Sequence, residues 1–518
     1  MGSIYLKLCL PWFAAGPIPL APPKAAMTIA VPHAVAEARP GRLPLWVGLG
    51  VYALALLAGS QLLNDPDTYW QISVGQSILD HHAVPTIDLY SFTMRGQPWV
   101  STQWLSQVLF AGAYGAFGWT GPVVLTATAV AATFALLTHF LHQRLVESTT
   151  LIFVMVALAL MLDHLLARPH VLAMPVMVAF VGGLVAAMDR RGAPSLALLP
   201  LIALWANLHG GFVLGLALIA PLGIDAIVHA EARLQKALLL RWVLFGVAAC
   251  AACCLTPYGW DSLLAARRIL NLGAALAMIG EWRAADFGHP GPLELTVLAG
   301  FALVLWRGVT LPPMRIVLVL GFVFMALSHV RNAEVLALLA PLVLAKPLGE
   351  RVGRGSAAEP AAPRRLLFAG VAIGLLTGTF IIASIQNYAP YDRSSPAAAV
   401  TELKKHNLAR VFNDYDFGGY LIWRGVPTFI DGRTELFGEK RMVEHNNASG
   451  LSEPDNLFRL LRDYDIEATL LRTQSAATKL LDHLDGWQKV YSDDIATIHL
   501  RKAGAVHSVE PVVNVDKK

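Results

Sequence analysis

Two aspartates and a set of arginine and histidine residues are the side chains in this sequence that could do chemistry. Asp65 and Asp67 flank a proline directly after the first long apolar segment. Two carboxylates this close can bind a divalent cation or take a proton from a hydroxyl group. Arginine and histidine side chains facing them could hold a phosphate, so the whole set suits transfer from a phosphate-linked donor.

The other polar residues also lie at the ends of apolar segments. They are Asp163, His164, Arg168, His170, Asn207, His209, Glu281, Trp282, Arg283, His329, Arg331 and Asn332. A charge at the centre of a membrane helix costs about 2.5 to 3.5 kcal/mol, so this grouping is informative. Each member also has a simpler interpretation. Asp67 could cap a helix, Arg168 and Arg331 could extend to lipid headgroups, and His209 could lie in an ordinary turn.

The elements that must position these residues are membrane helices. The 518 residues are 55% hydrophobic and 15% charged, and the mean hydropathy of +0.53 is too high for a water-soluble protein of this size. Eleven apolar segments are long enough, or nearly so, to cross a bilayer. They are 43–63, 121–141, 149–166, 170–188, 194–208, 210–229, 237–256, 292–307, 314–330, 332–346 and 366–386. We expect membrane lipid as a partner and no nucleic acid.

The arginine and lysine distribution predicts an orientation. If all eleven segments cross, alternate loops hold most of the positive residues, and such loops face the cytoplasm. These residues are Arg39, Arg42, Arg144, Arg190, Arg191, Arg233, Lys236, Arg241, Arg307, Arg315, Lys346, Arg351, Arg354, Arg364 and Arg365. We therefore expect a bacterial inner-membrane protein with a cytoplasmic N-terminus. The polar cluster, the loops 64–120 and 257–291, and the C-terminal region would be extracytoplasmic.

The chain divides into four expected regions. A disordered segment, 1–42, contains two candidate start residues, Met1 and Met27, and is followed by a transmembrane domain, 43–387. A small extracytoplasmic α/β domain, 388–503, and a disordered tail, 504–518, complete the chain. The α/β domain has strand patterns at Arg410–Asn413, Tyr420–Trp423, Thr428–Ile430, Ala468–Leu471 and Ala496–Leu500, and helical patterns at Ala397–Lys405 and Asn456–Asp463. A mixed sheet is expected.

The loop 64–120, the first of the two long loops expected to be extracytoplasmic and called the first outer loop, contains a further helical pattern. Between Tyr69 and Leu79, the residues Trp70, Val74 and Ile78 recur on one face of a helix. This pattern predicts a short amphipathic helix on the membrane surface. Nearby tryptophans, Trp99, Trp104 and Trp119, are expected at headgroup depth.

The arrangement resembles the GT-C superfamily of membrane glycosyltransferases. The similar features are an Asp-x-Asp element after the first membrane segment (Asp65–Asp67), a surface helix with Trp70 and a long outer loop. The superfamily includes protein O-mannosyltransferases, oligosaccharyltransferase catalytic subunits, lipid A aminoarabinose transferases and arabinosyltransferases. Similarity to largely uncharacterised bacterial GT-C-like proteins with a C-terminal extracytoplasmic domain covers Asp65–Gly75, Trp99–Trp104, Arg168–His170, Asn207–Phe212, Thr256–Gly259, Glu281–Trp282 and Gly418–Arg433.

The resemblance implies an enzyme that moves a sugar from a polyprenyl-phosphate donor to a lipid, glycan or protein acceptor on the extracytoplasmic face. Asp65 or Asp67 would then be the base for the acceptor hydroxyl or a metal ligand. The donor phosphate would be held by Arg168, His170, His209 and Arg331. Glu281 would be a second acidic residue and Trp282 an acceptor-side residue. A divalent cation, if one binds, would have Asp65, Asp67 and Glu281 as ligands.

Departures from the superfamily leave the acceptor and other functions open. The chain lacks the adjacent Asp-Glu pair of protein O-mannosyltransferases and the Trp-Trp-Asp signature of oligosaccharyltransferases, which argues against both activities. A lipid or sugar transporter or flippase is one alternative, and it predicts midplane charges and an internal repeat. A non-catalytic scaffold with a transferase-like fold is another. In the tail, Gly418–Leu421 and Asp431–Arg433 could shape an acceptor site or form turns with a structural salt bridge.

Overall fold

The computed structural model describes residues 42–270, 280–352, 365–391 and 395–502. The predictions of disorder for residues 1–41 and 504–518 therefore lie outside the described residues. Within the described ranges the protein is mostly helical, with one small sheet near the C-terminus.

All eleven apolar segments form helices. The bounds are α1 (Leu43–Ala58), α4 (Thr120–His142), α5 (Glu147–Met161), α6 (Pro169–Asp189), α7 (Leu199–Leu208), α8 (Phe212–Val228), α9 (Ala232–Cys253), α11 (Pro292–Arg307), α12 (Pro313–Ser328), α13 (Ala333–Val352) and α14 (Arg365–Gln386). The loops predicted to be outer, 64–120 (the first) and 257–291, add α2 (Asp67–His81), α3 (Trp104–Phe117) and α10 (Asp261–Leu270). Proline in the first turn starts several membrane helices, where its missing N–H costs no hydrogen bond.

Length and composition support a polytopic membrane protein. In the described residues, six helical segments are long and apolar enough to cross a membrane: Leu43–Leu63, Thr120–His142, Glu147–His164, Pro169–Asp189, Ala232–Cys253 and Val330–Arg351. Shorter apolar helices occur at Leu196–Leu208, Phe212–Val228, Pro313–Ser328 and Gly370–Gln386.

Helix α6 lies at the centre of the helical bundle. In its most apolar window 78% of the residues are buried, and it packs against α4, α7, α8 and α13. Helices α11, α12 and α14 instead expose large side chains such as Phe301, Phe324 and Phe380. Exposed apolar helix faces of this kind suit contact with lipid tails.

Three residues from the predicted cytoplasmic set meet at the end of α6. Arg315 is buried, and its Nη2 lies 2.5 Å from Asp189 Oδ1. Arg144 Nη2 lies 3.6 Å from Asp189 Oδ2, and Lys346 donates a 2.8 Å hydrogen bond to the Asp189 carbonyl. The attraction between these paired charges offsets the free-energy cost of burying them. This ion-pair cluster ties α6, α12 and α13 together.

The C-terminal region forms a small α/β layer, as predicted. Its strands are β1 (Val411–Asn413), β2 (Ala468–Arg472), β3 (Trp487–Ser492) and β4 (Ala496–Arg501), and its helices are α15 (Ala397–Lys405), α16 (Gly418–Trp423), α17 (Thr434–Gly450), α18 (Pro454–Asp463) and α19 (Ala476–Leu481). The sheet order is β1-β2-β4-β3. The β1–β2 pair is parallel and the other pairs are antiparallel, so the sheet is mixed.

Two strand predictions in this region are wrong. Tyr420–Trp423 is part of helix α16, because its aromatic side chains pack around Tyr69 of α2 instead of entering a sheet. Thr428–Ile430 lies outside the named strands, and Thr428 makes only an isolated bridge with Ser91 of the first outer loop. Strand β3 was not predicted, because its polar residues obscure the strand pattern.

Helix α2 has the predicted apolar face but a different environment. Trp70, Val74 and Ile78 are each at most 7% exposed. They pack with Trp99 and Ile430 in a core that joins the first outer loop to the C-terminal region. The prediction that this face lies on the membrane surface is therefore wrong, and so is the headgroup position predicted for Trp99.

Candidate functional site

A cavity of about 730 Å³ lies between the helical bundle and the C-terminal region. It is lined where α2, α6, α8 and α13 begin and where α7 ends. The predicted residues that line it are Asp65, Asp67, Arg168, His170, His209, Trp282 and Arg331. Distant segments of the chain thus meet at one end of the bundle, as the sequence predicted.

The two aspartates differ in exposure and in contacts. Asp65 is 2% exposed, and its Oδ1 accepts a 2.7 Å hydrogen bond from the Asp67 amide at the start of α2. The Asp67 side chain is 23% exposed, and its Oδ1 accepts a 2.9 Å hydrogen bond from Trp70 Nε1. The Asp65 carboxylate therefore accepts from the first amide of α2, and Asp67 lies inside the first turn of that helix.

Arg168 joins the two carboxylates. Its Nε contacts Asp65 Oδ2, and its Nη2 lies 3.3 Å from Asp67 Oδ2. The backbone supports this pairing, because Ala167 donates to the Leu62 carbonyl and accepts from Thr68 Oγ1. The link before α6 is thereby fastened to both sides of the Asp-x-Asp element.

Two of the three predicted metal ligands, Asp65 and Asp67, are paired with an arginine. Among the described residues, no group of three histidine, cysteine or acidic side chains is arranged to hold a cation. Asp65 and Asp67 instead share the Arg168 guanidinium, which supplies the positive charge. Glu281 lies in a short 3₁₀ turn, Gly280–Trp282, and its side chain lies outside the described residues. Its predicted acidic and metal-binding roles therefore stay predictions.

The link between α7 and α8 places His209 against the cavity. Its backbone is extended, and its Nδ1 accepts a 3.1 Å hydrogen bond from the Gly211 amide. Trp104 Nε1 donates to Asn207 Oδ1 at 2.8 Å, which fixes the link to the first outer loop. The ring of His170 packs edge-on against His209 with 6.2 Å between centroids. His170 Nε2 donates to the His164 carbonyl and lies 3.7 Å from Glu334.

Arg331 and Trp282 form another side of the cavity. The Arg331 guanidinium lies 5.3 Å from the centre of the Trp282 ring, a cation–π contact. His329 Nδ1 donates a 2.6 Å hydrogen bond to the Trp282 carbonyl, and the Val330 amide donates to the Arg283 carbonyl. These bonds attach the turn before α13 to the loop that carries Trp282.

The C-terminal region approaches the Asp-x-Asp element through two glycines. A Cβ atom added at Gly419 would lie 2.1 Å from the Pro66 carbonyl oxygen, and one added at Gly432 would lie 1.9 Å from Asp67 Oδ1. Both distances are far below any real contact. Only glycine permits this approach, so the glycines serve close packing against the candidate site.

Asp431 and Arg433 anchor this approach. Both side chains are fully buried, and Arg433 donates to both Asp431 oxygens at 2.7 and 2.8 Å and to Asp88 of the first outer loop at 2.5 Å. The guanidinium also lies over the Trp99 ring at 4.8 Å. The charges of Asp431 and Asp88 raise the pKa of Arg433 despite its burial. The pair is therefore a structural salt bridge, the second of the two interpretations left open by the sequence.

Several polar residues at the cavity were not singled out by the sequence. They are Gln71, Glu334, Tyr415, Asp416 and Glu435. Burial raises the pKa of Glu435, whose Oε1 accepts from Trp99 Nε1 at 2.9 Å. Burial, followed by the nearby charge of Asp67, raises the pKa of Tyr415. Glu334 could have been found from its position beside Arg331 at the start of an apolar helix.

The deeper part of the cavity is apolar. Its lining there comes from the first three turns of three membrane helices: Ala173, Met174 and Met177 of α6, Val213, Leu214 and Ala217 of α8, and Val335 of α13. The charged and histidine side chains lie at the helix starts. The cavity therefore suits an amphipathic ligand with a charged head and an apolar tail.

Comparisons with known proteins identify the fold. No protein-family model and no curated protein matches the chain by sequence. The apo oligosaccharyltransferase from Archaeoglobus fulgidus is similar in structure, with a TM-score of 0.51 and 12% identity over 84% of this chain and 70% of that chain.

Two further solved structures are similar to a lower degree. The A. fulgidus oligosaccharyltransferase AglB, in complex with an inhibitory peptide and a dolichol-phosphate, has a TM-score of 0.49 and 11% identity over 90% of this chain and 75% of that chain. ArnT from Cupriavidus metallidurans, bound to undecaprenyl phosphate, has a TM-score of 0.46 and 14% identity over 89% of this chain and 98% of that chain. This chain is a polytopic membrane protein, and its fold is similar to that of the apo oligosaccharyltransferase.

Proposed function

We propose that this chain is a glycosyltransferase that moves a sugar from a polyprenyl-phosphate donor to an acceptor hydroxyl. The observation that carries the proposal is a cavity lined by Asp67, Arg168, His209 and Arg331, in which Asp67 lies beside Arg168. A carboxylate opposite cationic and imidazole groups matches the needs of the reaction, which are proton removal from one substrate and charge stabilisation on the other.

The shape and lining of the cavity support a lipid-linked phosphate donor. The apolar side chains of α6 and α8 suit a prenyl chain, and the polar rim suits its phosphate. Helices α6, α8 and α13 all begin at this rim, so the positive ends of their dipoles lie beside the place assigned to the phosphate.

Asp67 is the proposed base. Its carboxylate is partly exposed to the cavity and is held by Trp70 and Arg168. It would take the proton as the acceptor oxygen bonds to the anomeric carbon and the bond from that carbon to the phosphate oxygen breaks. The electron pair leaves with the polyprenyl phosphate.

The remaining predicted residues have distinct proposed tasks. His209 and Arg331 stabilise the negative charge on the leaving phosphate. Asp65 and Arg168 hold Asp67 in place, because Arg168 is already engaged by both carboxylates. His170 supports His209 through its edge-on ring contact.

The proposed orientation places the cavity on the extracytoplasmic side of a bacterial inner membrane. The ion-pair cluster of Arg144, Arg315 and Lys346 lies at the far end of α6 from the cavity, so the positive-inside rule supports this orientation. A C-terminal fusion to alkaline phosphatase should be active, and a C-terminal fusion to green fluorescent protein should be dark. The opposite pattern would reverse the orientation.

Mass spectrometry of cell-envelope glycans tests the function. A strain lacking the protein should lose one sugar modification, and wild-type protein should restore it. Asp67→Asn should fail to restore it at equal membrane abundance. Asp80→Asn is the matched control, since Asp80 lies on the same helix, is exposed and accepts a 2.7 Å hydrogen bond from Gln76 on the helix surface. It should restore the glycan fully.

An unchanged glycan profile in the deletion strain would contradict the proposal. Full restoration by Asp67→Asn would favour a non-catalytic scaffold. A transporter would be favoured if the sugar accumulated on its lipid carrier at the inner face while Asp67→Asn behaved as wild type.

A further inference from the structure

The side-chain amide of Gln71 is buried, and its oxygen atom has no hydrogen-bond partner among the described residues. The side chain is 3% exposed, and its Oε1 atom receives no hydrogen bond. A buried amide oxygen without a donor costs free energy. Gln71 lines the cavity, so a ligand that enters the cavity lies beside the side chain whose oxygen lacks a donor.

The position of Gln71 relates it to the proposed base. It lies four residues after Asp67 on α2, and side chains at this spacing share one face of a helix. Both residues line the same cavity. A ligand group that reaches the Asp67 carboxylate is therefore about one helical turn from the Gln71 amide.

Neutral polar residues surround this part of the cavity. Gly75, one turn beyond Gln71, packs directly on the Gln107 carbonyl, and Gln107 Oε1 accepts a 3.0 Å hydrogen bond from Ser101. The segment Ser101–Gln103 is thereby held beside α2, and all three of its residues line the cavity. Thr102 also faces Gly210, in the link that carries His209. Amides and hydroxyls thus line the same cavity as the proposed base and the phosphate-binding residues.

We infer that Gln71, Ser101, Thr102 and Gln103 form a subsite for the ring of a neutral, polyhydroxylated sugar. The inference rests on the proposed glycosyltransferase function. Sugar hydroxyls donate to the Gln71 oxygen and exchange hydrogen bonds with the amide and hydroxyl groups of the segment. A uronic acid is disfavoured, because its carboxylate would lie about one helical turn from the Asp67 carboxylate and be repelled by it.

The ring can belong to the donor or to the acceptor, and binding measurements separate the two. The probes are undecaprenyl phosphate, undecaprenyl-phosphate glucose, undecaprenyl-phosphate mannose and undecaprenyl-phosphate glucuronate, added to protein in nanodiscs. Methyl glucoside and methyl mannoside serve as soluble acceptor probes. Gln71→Leu removes the amide at similar size, and Gln76→Leu makes the same change at an exposed position of α2.

If the subsite holds the donor sugar, Gln71→Leu weakens binding of a neutral sugar lipid about tenfold, or about 1.4 kcal/mol. Binding of undecaprenyl phosphate stays within twofold. If the subsite holds the acceptor, donor binding is unchanged and binding of a methyl glycoside weakens instead. In both cases Gln76→Leu behaves as wild type, and the melting temperature of Gln71→Leu is not lowered, because the change removes an unpaired buried atom.

Two results would overturn the inference while leaving the proposed function in place. One is unchanged binding of all sugar probes by Gln71→Leu. The other is binding of the glucuronate lipid by wild-type protein at least as tight as that of both neutral sugar lipids. Failure of wild-type protein to bind any of the four lipids would contradict the proposed function and the inference together.

Discussion

Gly432→Ala should displace the proposed base, Asp67, without changing the Asp67 side chain itself. The added Cβ would lie 1.9 Å from Asp67 Oδ1, 2.9 Å from Asp67 Cγ and 3.0 Å from Trp70 Nε1. Real Cβ atoms essentially never approach a heavy atom more closely than 3.0 Å. The Asp67 carboxylate and the Gly432 backbone must therefore separate by about 1 Å or more before the variant can fold.

A displacement of this size has a large expected effect on rate. Misplacing a catalytic group by about 1 Å can lower the rate about 100-fold. The stability cost of one extra methyl group in a packed region is smaller, about 1 to 3 kcal/mol. We therefore expect a folded protein that binds undecaprenyl phosphate within threefold of wild type but transfers sugar about 100-fold more slowly.

The assay is the initial rate of sugar transfer by purified protein, with the melting temperature measured in parallel. Gly450→Ala is the matched control at the end of α17, because its added Cβ meets only Ser452 Oγ, at 3.7 Å. It should transfer at the wild-type rate. A folded Gly432→Ala protein with wild-type transfer would refute the reasoning, because it would mean that the position of Asp67 does not limit the reaction.

Two other predictions concern stability. Arg433→Met removes a buried cation from between Asp431 and Asp88, so the free energy of unfolding should fall by about 3 to 5 kcal/mol; a melting temperature equal to that of wild type would contradict the anchoring role. Burial raises the pKa of Asp414 to about 6. The folded state then holds more protons than the unfolded state between about pH 4 and 6, so stability should fall as the pH rises through this range, by up to about 3 kcal/mol. Asp414→Asn should flatten this decline in thermal melts, and an identical pH profile would argue against the shift.

The meeting of distant polar residues could be predicted because membrane helices impose a simple geometry. Asp65, Arg168, His209 and Arg331 each lie at the end of an apolar segment. Segments that cross a bilayer of fixed thickness bring alternate ends to one side. The chain therefore had to place these four residues at a similar depth, and the structure adds that they share one cavity.

The contribution of the C-terminal region could not be predicted in the same way. Gly419 and Gly432 resemble turn glycines in the sequence, and only the packed structure places them against Pro66 and Asp67. The apolar pattern around Trp70 predicted a helix on the membrane surface, but protein covers this face. The sequence of an apolar face does not show whether lipid or protein covers it.

Some of the site depends on contacts that leave no local pattern. Gln71 and Glu435 have no periodic or motif signal, and their positions at the cavity follow from how α2 and α17 pack. Short apolar runs such as Tyr420–Trp423 fit a strand and a helix equally well, and tertiary packing decides between them.

The most direct test of the central claim is release of free polyprenyl phosphate by purified protein supplied with polyprenyl-phosphate sugars and an acceptor extract. We expect wild-type protein to release it with matching sugar transfer, and Asp67→Asn to be slower by a factor of about 100 to 10,000 with an unchanged melting temperature. Equal release by the two proteins would contradict the assignment of Asp67 as the base.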